Sequence, residues 1–217
     1  AKAVEDTAFY RYGALLSRLD VGFDATRIAS PVGEFHDACR ARAETFPNAM
    51  LATATHDHKR GEDVRARLAV LSAIPDIWRS RVEAWDECAG GSESGIAAPD
   101  RYALYQMLFG AWPEALEGAD RVNLAAYADR LSAWQIKALR EGKQRSSWET
   151  PDEAYEASVS QFIRQVLEPD TNQSLVRHIR QFVEETAGAT LANMLVQVGL
   201  RCTVPGTPDC YQGCELP

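Results

Sequence analysis

No run of apolar residues in this 217-residue sequence approaches the roughly 18 that a membrane-spanning helix requires, so a helical span is excluded. Blocks of like charge are also missing. The 31 Asp and Glu and 23 Lys and Arg are dispersed and leave a net charge of −8 at pH 7. Such a chain offers a polyanion no general attraction, which excludes nucleic acid as the expected ligand. Residues Ala1 to Tyr12 carry charges where a secretory signal needs an apolar stretch, so the expected address is cytoplasmic. Glycine (14) and proline (10) are too few for a collagenous or low-complexity chain, and 46% hydrophobic content excludes disorder. Cysteine is sparse and irregular: Cys39, Cys88, Cys202, Cys210 and Cys214 make an odd number with no C-x-x-C pair. That pattern reads as free thiols and not as a disulfide framework or zinc site. Nothing in the sequence asks for a cofactor or a metal.

What is present is mostly helix. Thr150-Pro151-Asp152-Glu153 supplies an N-cap, a Pro for the first helical position and an acid in the first turn. Tyr155, Val159, Phe162, Ile163, Val166 and Leu167 follow at helical spacing, and Pro169-Asp170 ends that helix. Asp170 and Gln173 open the next, with an apolar face of Leu175, Val176, Ile179, Phe182 and Val183. Leu124, Tyr127, Leu131, Trp134 and Ala138 mark a long helix. Val64, Leu68 and Leu71, then Ile77, Val82 and Trp85, mark two more, broken at Pro75. Gly90 to Gly95 reads as a surface loop inside one helical body, with order restarting at Pro99.

Two short segments break the helical rule. Asn48 to Thr55 is apolar, follows Pro47 and has no 3.6 period, which predicts a buried parallel strand. Leu200 to Val204, before Pro205-Gly206, is expected to be a second. Two lone strands cannot form a sheet of useful size, so most of their sheet is expected elsewhere, in a longer protein of which this chain, starting without Met, is a piece. A strand without its sheet exposes unpaired backbone, so a homodimer through Met50 to Thr55 is also an expectation.

Directly after the first strand comes Thr55-His56-Asp57-His58-Lys59-Arg60-Gly61-Glu62-Asp63, the densest run of titratable residues in the chain. A buried strand running straight into His-Asp sets an imidazole and a carboxylate at the rim of a core, where barrel enzymes place their chemistry. Glu62 and Asp63 are not expected to share a bond, because adjacent helical residues point about 100° apart.

Here the sequence resembles a known family. Met50-Leu51-Ala52-Thr53-Ala54-Thr55-His56-Asp57 resembles the seventh-strand motif of the α-amylase superfamily. Its continuation through Lys59-Arg60-Gly61-Glu62-Asp63-Val64-Arg65 is similar to the maltooligosyltrehalose synthase family within it. So are Val4-Glu5-Asp6-Thr7-Ala8-Phe9-Tyr10-Arg11-Tyr12 and the segment Pro205 to Glu215. The resemblance implies a (β/α)8 barrel acting on a maltooligosaccharide by a retaining mechanism, turning the reducing-end α-1,4 bond into an α,α-1,1 bond. It implies Asp57 as the carboxylate that stabilises the transition state and His56 as a donor to a sugar hydroxyl. Lys59, with Arg60 and Lys2, would line the pocket that holds the released glucose. The nucleophile and the acid/base of that family lie outside this sequence, so the chain alone is expected to be inactive. His58, Cys210 and Cys214 depart from the family pattern.

The expected architecture is therefore mainly α: residues 1–60 derive from the barrel and carry strand seven, 61–199 form a helical insertion lobe, and 200–217 supply strand eight and its loop. The rest of that barrel is the expected partner. Two rivals remain. His36, His56, Asp57 and His58 could build a metal-dependent phosphohydrolase site. Alternatively, a non-catalytic helical module could use its tryptophans as anchors, Trp112 and Trp148 being the expected exposed ones and Trp85 and Trp134 core.

Overall fold

The computed structural model describes residues 2–24, 26–113, 116 and 121–211, apart from the side chains of residues 2, 3 and 169–171. Eight α-helices are described: α1 (Lys2–Arg11), α2 (Val32–Thr45), α3 (Glu62–Ala69), α4 (Pro75–Cys88), α5 (Ala98–Gly110), α6 (Arg121–Gly142), α7 (Glu153–Val166) and α8 (Pro169–Thr203). Two strands of two residues each, β1 (Met50–Leu51) and β2 (Thr207–Pro208), pair in parallel with Met50 opposite Thr207. The chain is thus mainly helical with one short parallel strand pair, as the sequence predicts.

The helices begin where local chemistry allows. Pro75 opens α4 and Pro99 lies in the first turn of α5, positions where a missing N–H leaves no hydrogen bond unmade. For α7 the expected cap is displaced. Asp152, not Thr150, caps the helix, its carboxylate accepting the N–H of Tyr155 at 3.0 Å. Thr150 is engaged instead in a turn with Ser147, whose Oγ accepts its N–H at 2.9 Å. In α8, Asn172 is non-helical and its side chain donates to the carbonyl of Gln165 at 2.6 Å, so the continuous helix starts one residue later.

The core is a single apolar cluster to which every helix from α3 to α8 contributes. Its centre is aromatic. Trp78 packs edge-on against Trp85 with ring centres 5.6 Å apart, and Phe182 of α8 lies 5.9 Å from each of them. Gly110 permits a close crossing of α5 on α3, because a Cβ there would stand 2.8 Å from Leu68 Cγ. On α4 the buried face is Trp78 and Trp85, with Val82 packed against it. Ile77, expected on that face, is exposed because it sits one residue, about 100°, away. Gly90 to Gly95 is a compact turn inside this body, fastened by the Asp86–Arg101 ion pair at 2.7 Å.

Three further expectations are corrected. Leu200 to Val204 is not a strand. α8 continues through Thr203, and Val204 still donates to the Leu200 carbonyl at 3.0 Å. Leu191, Leu195 and Val198 step by four and three through this stretch, a helical period that carries on to the end. The second strand lies beyond Pro205-Gly206, where Thr207 donates to Ala49 O at 2.8 Å and Asp209 to Leu51 O at 3.1 Å. The strand expected over Asn48 to Thr55 is reduced to Met50–Leu51 and is not buried: Met50 is exposed and Leu51 half-buried, since one two-residue partner cannot cover either face. Trp112, expected to be exposed, is buried because it packs T-shaped on Tyr127 at 5.7 Å, while Arg67 donates to its carbonyl at 2.8 Å. Trp148 is exposed, Trp85 buried and Trp134 partly buried against the core, as the sequence predicts.

Candidate active site

The residues after β1 form a tight turn. His58 N–H donates to the Thr55 carbonyl at 3.2 Å, and Thr55 N–H donates back to His58 Nδ1 at 2.9 Å. His56 and Asp57 occupy the tip of this turn, His56 exposed and Asp57 half-buried. Because Thr55 N–H donates to Nδ1, the His58 imidazole is assigned its proton on Nε2. Desolvation, followed by the Arg65 charge, holds its pKa below the ordinary 6.5.

What fixes the turn is Asp20, which lies in an apolar stretch after Leu16 and Leu19 and is wholly buried. Its Oδ1 accepts the N–H groups of Val21 at 2.9 Å and Lys59 at 2.8 Å, and its Oδ2 accepts that of Arg60 at 3.1 Å. Three backbone donors are enough to hold a buried carboxylate, and Arg65 adds a positive charge at 3.7 Å. Sequence reasoning passes over this residue. The signal it carries is an acid embedded among leucines, a position that a carboxylate occupies only with partners.

Lys59 turns its ammonium back to α1, pairing with Asp6 Oδ1 at 2.5 Å and lying 5.9 Å from the Tyr10 ring. Burial pushes the Tyr10 hydroxyl up to about 12. Arg60 is 4% exposed; it donates to the Leu19 carbonyl at 2.9 Å and lies 6.0 Å from the Trp134 ring. Desolvation, opposed by Asp20, brings its pKa down to about 10. The Lys2 side chain lies outside the described residues, as do Cys214 and the stretch Gln212 to Glu215 of the last motif. The turn thus brings His56, Asp57 and Lys59 together, with Arg60 directed into the core behind them.

A second set of contacts joins the turn to the far end of the helical body. Glu62, at the start of α3, pairs with Arg201, near the end of α8, at 2.7 Å in a buried setting. Arg201 also donates to Thr53 Oγ1 at 3.0 Å, and Arg65 donates to the Thr53 carbonyl. Glu62 is accordingly a structural carboxylate. Beside these contacts opens a groove of about 860 Å³, lined in part by Phe23, Thr53, His58, Arg65 and Gln197.

Among the described residues no group of three or more His, Cys, Asp or Glu is placed to hold a metal ion. His36 stands exposed on α2, a helix with no buried residue. Cys39, Cys88, Cys202 and Cys210 are free thiols, and three of them are exposed. No helix among the described residues is long and apolar enough to cross a membrane.

No family model matches the chain. Among curated proteins it is 39% identical, over its whole length, to a putative maltooligosyl trehalose synthase of Mycobacterium tuberculosis, of which it spans 26%. Two solved structures superpose closely. A hypothetical maltooligosyl trehalose synthase of Sulfolobus tokodaii matches with a TM-score of 0.87 at 32% identity, covering 99% of this chain and 28% of that one. The maltooligosyltrehalose synthase of Arthrobacter ramosus matches with a TM-score of 0.80 at 34% identity, covering 98% of this chain and 26% of that one. The chain spans about a quarter of the length of the relatives it matches. In sequence and in fold, over nearly all its residues, this chain is therefore similar to one part of the maltooligosyltrehalose synthases.

Proposed function

We propose that this chain is a section of an enzyme that rearranges the reducing end of a maltooligosaccharide, converting the terminal α-1,4 bond to an α,α-1,1 bond. The observation that carries the reading is the His56-Asp57 turn, set at the end of a parallel strand and locked from behind by a buried Asp20. Such a carboxylate, held in place before reaction, is worth most when an oxocarbenium-like transition state gathers positive charge on the sugar ring. Asp57 takes that stabilising role and His56 donates to a hydroxyl of the same sugar. Lys59, with Lys2, shapes the pocket for the released glucose before it re-attacks through its anomeric hydroxyl, while Arg60, expected in that pocket, supports the turn from the core behind it.

In this reading residues 1–60 and the segment that follows Thr203 belong to a (β/α)8 barrel, and the residues between them, through the end of α8, form a helical lobe that walls its cleft. The free edges of β1 and β2 then take neighbouring barrel strands, a second copy of the chain being the alternative occupant. A cytoplasmic setting fits this chemistry. Retaining chemistry needs two carboxyl groups about 5 Å apart across the scissile bond, and the proposal places both of them outside residues 1–217.

The test has two arms. The isolated chain should leave the reducing ends of maltopentaose intact, and their measurable loss would overturn the division of labour. In the intact enzyme that carries this chain, Asp57→Asn should lower the rate of trehalose-ended product formation by about 1,000-fold or more, the scale of losing a preorganised charge at the transition state. A fall below tenfold would remove Asp57 from the reaction.

A further inference from the structure

Among the described residues of the helical lobe, one aromatic side chain is left largely exposed by the lobe's own packing. Trp148 is 52% exposed at the tip of the turn Ser147 to Thr150. That turn is closed three ways: Ser147 N–H donates to the Thr150 carbonyl at 3.3 Å, Thr150 N–H donates to Ser147 Oγ at 2.9 Å, and the two hydroxyls meet at 3.0 Å. The indole itself is clamped. Its N–H donates to Glu141 Oε1 at 3.0 Å, and the Arg140 guanidinium lies 4.9 Å from the ring centre. Arg140 is held in turn by a two-pronged bond to Glu156, at 2.8 and 2.7 Å. Most exposed side chains lose conformational freedom when a ligand orders them; this one is ordered beforehand.

The surroundings indicate what the ring is ordered for. Around it Arg140 and Lys143 stand among Glu141, Glu149 and Glu156, Arg140 being already neutralised by Glu156, and a local backbone hydrogen bond, then Lys143 and Ser147, hold the Glu149 carboxylate below its usual range. A flat apolar surface rimmed by hydrogen-bonding groups of mixed sign offers little to an ion. It matches a neutral pyranose, whose C–H face is apolar and whose rim is hydroxylated.

The position of the platform ties it to the candidate site. Glu141 adjoins Gly142, whose carbonyl accepts Arg11 Nε at 2.6 Å and whose Cα faces the backbone of Tyr10. Tyr10 is the ring beside which the Lys59 ammonium lies, directly after the His56-Asp57 turn. Trp148 and the turn are thus joined through α1 and the end of α6.

We infer that Trp148 is a sugar-stacking platform on the helical lobe, which holds a glucosyl residue of a glucan chain whose end lies at the His56-Asp57 turn. That the platform takes a neutral sugar rests on its geometry; that the sugar is α-1,4-linked rests on the function proposed above.

The test is affinity electrophoresis of the intact enzyme in gels containing soluble starch, with conversion of maltopentaose measured on the same preparations. Trp148→Ala should weaken the retardation constant about 3- to 10-fold, and Trp148→Phe should recover to within about 2-fold, the range expected for one aromatic stacking contact. Equal retardation of wild type and Trp148→Ala, or no retardation of wild type, would overturn the inference. So would a loss of folded enzyme in both variants, which would assign Trp148 to packing against the rest of the protein. A wild type that binds starch but makes no trehalose-ended product would overturn the proposed reaction and leave the platform standing.

Discussion

Asp20 and Lys59 are joined by a 2.8 Å hydrogen bond from the Lys59 backbone N–H to the Asp20 carboxylate, across 39 positions of sequence and inside the protein. This bond sets the path of the chain just after His56-Asp57. The Lys59 side chain is then free to serve Asp6, so one residue is fixed by its main chain to one element and by its ammonium to another.

Replacing Asp20 by Ala leaves the N–H groups of Lys59 and Arg60 without acceptors and removes the charge opposite Arg60 and Arg65. We expect a loss of about 3 kcal/mol, measured by urea unfolding of the chain, because uncompensated buried donors and charges are costly. Asp20→Asn keeps an acceptor oxygen and should lose less. Equal losses would show that charge, and not backbone anchoring, is what Asp20 supplies.

The Glu62–Arg201 pair spans the helical body from its first helix to its last turn and is buried on both sides. Arg201→Met should cost about 3–5 kcal/mol, since it strands a buried carboxylate. Adding Glu62→Gln should return part of that loss, so the double variant falls short of the sum of the singles. Strict additivity in thermal or denaturant melts would mean that the two side chains act independently.

His58 links the turn to pH. Its folded pKa lies below 6.5, so between that lowered value and 6.5 the unfolded chain holds more protons than the folded one. Stability therefore rises with pH through this window and is lost on acidification, as the protonated ring can no longer accept from Thr55 N–H. His58→Gln should flatten the stability profile just below pH 6.5. An unchanged slope would place the titration on another group.

Gly206 sits at φ +133°, and a Cβ there would come within 2.6 Å of Leu51 Cγ and 2.7 Å of the Ala49 carbonyl. Gly206→Ala should loosen the β1–β2 pairing and destabilise the chain by about 1–3 kcal/mol. Faster hydrogen exchange at Thr207 and Asp209, whose amides make the pairing bonds, would report it.

The sequence carries the helices and the turn because each depends on neighbours. Leu175, Ile179 and Phe182 are legible as a face from their spacing alone, and His56-Asp57 from its place after an apolar stretch. Features that depend on distant partners are not legible this way. Asp20 and Glu62 look like ordinary acids until Lys59 and Arg201 are brought to them. Trp112 looks like a residue at a helix end until Tyr127 covers it. The second strand escapes for another reason: two residues, Thr207 and Pro208, are too few to show any period. Without that period, the apolar end of α8 is the nearest plausible substitute.

The β1–β2 register has a kinetic consequence. Met50 and Thr207 flank the helical body in sequence and meet in space, so their pairing closes a very long loop and cannot form until the helices between them have brought the strands together. The pairing belongs on the native side of the folding barrier. Gly206→Ala should therefore speed unfolding while leaving the folding rate nearly untouched, which makes the strand pair the latch and the helical body the nucleus.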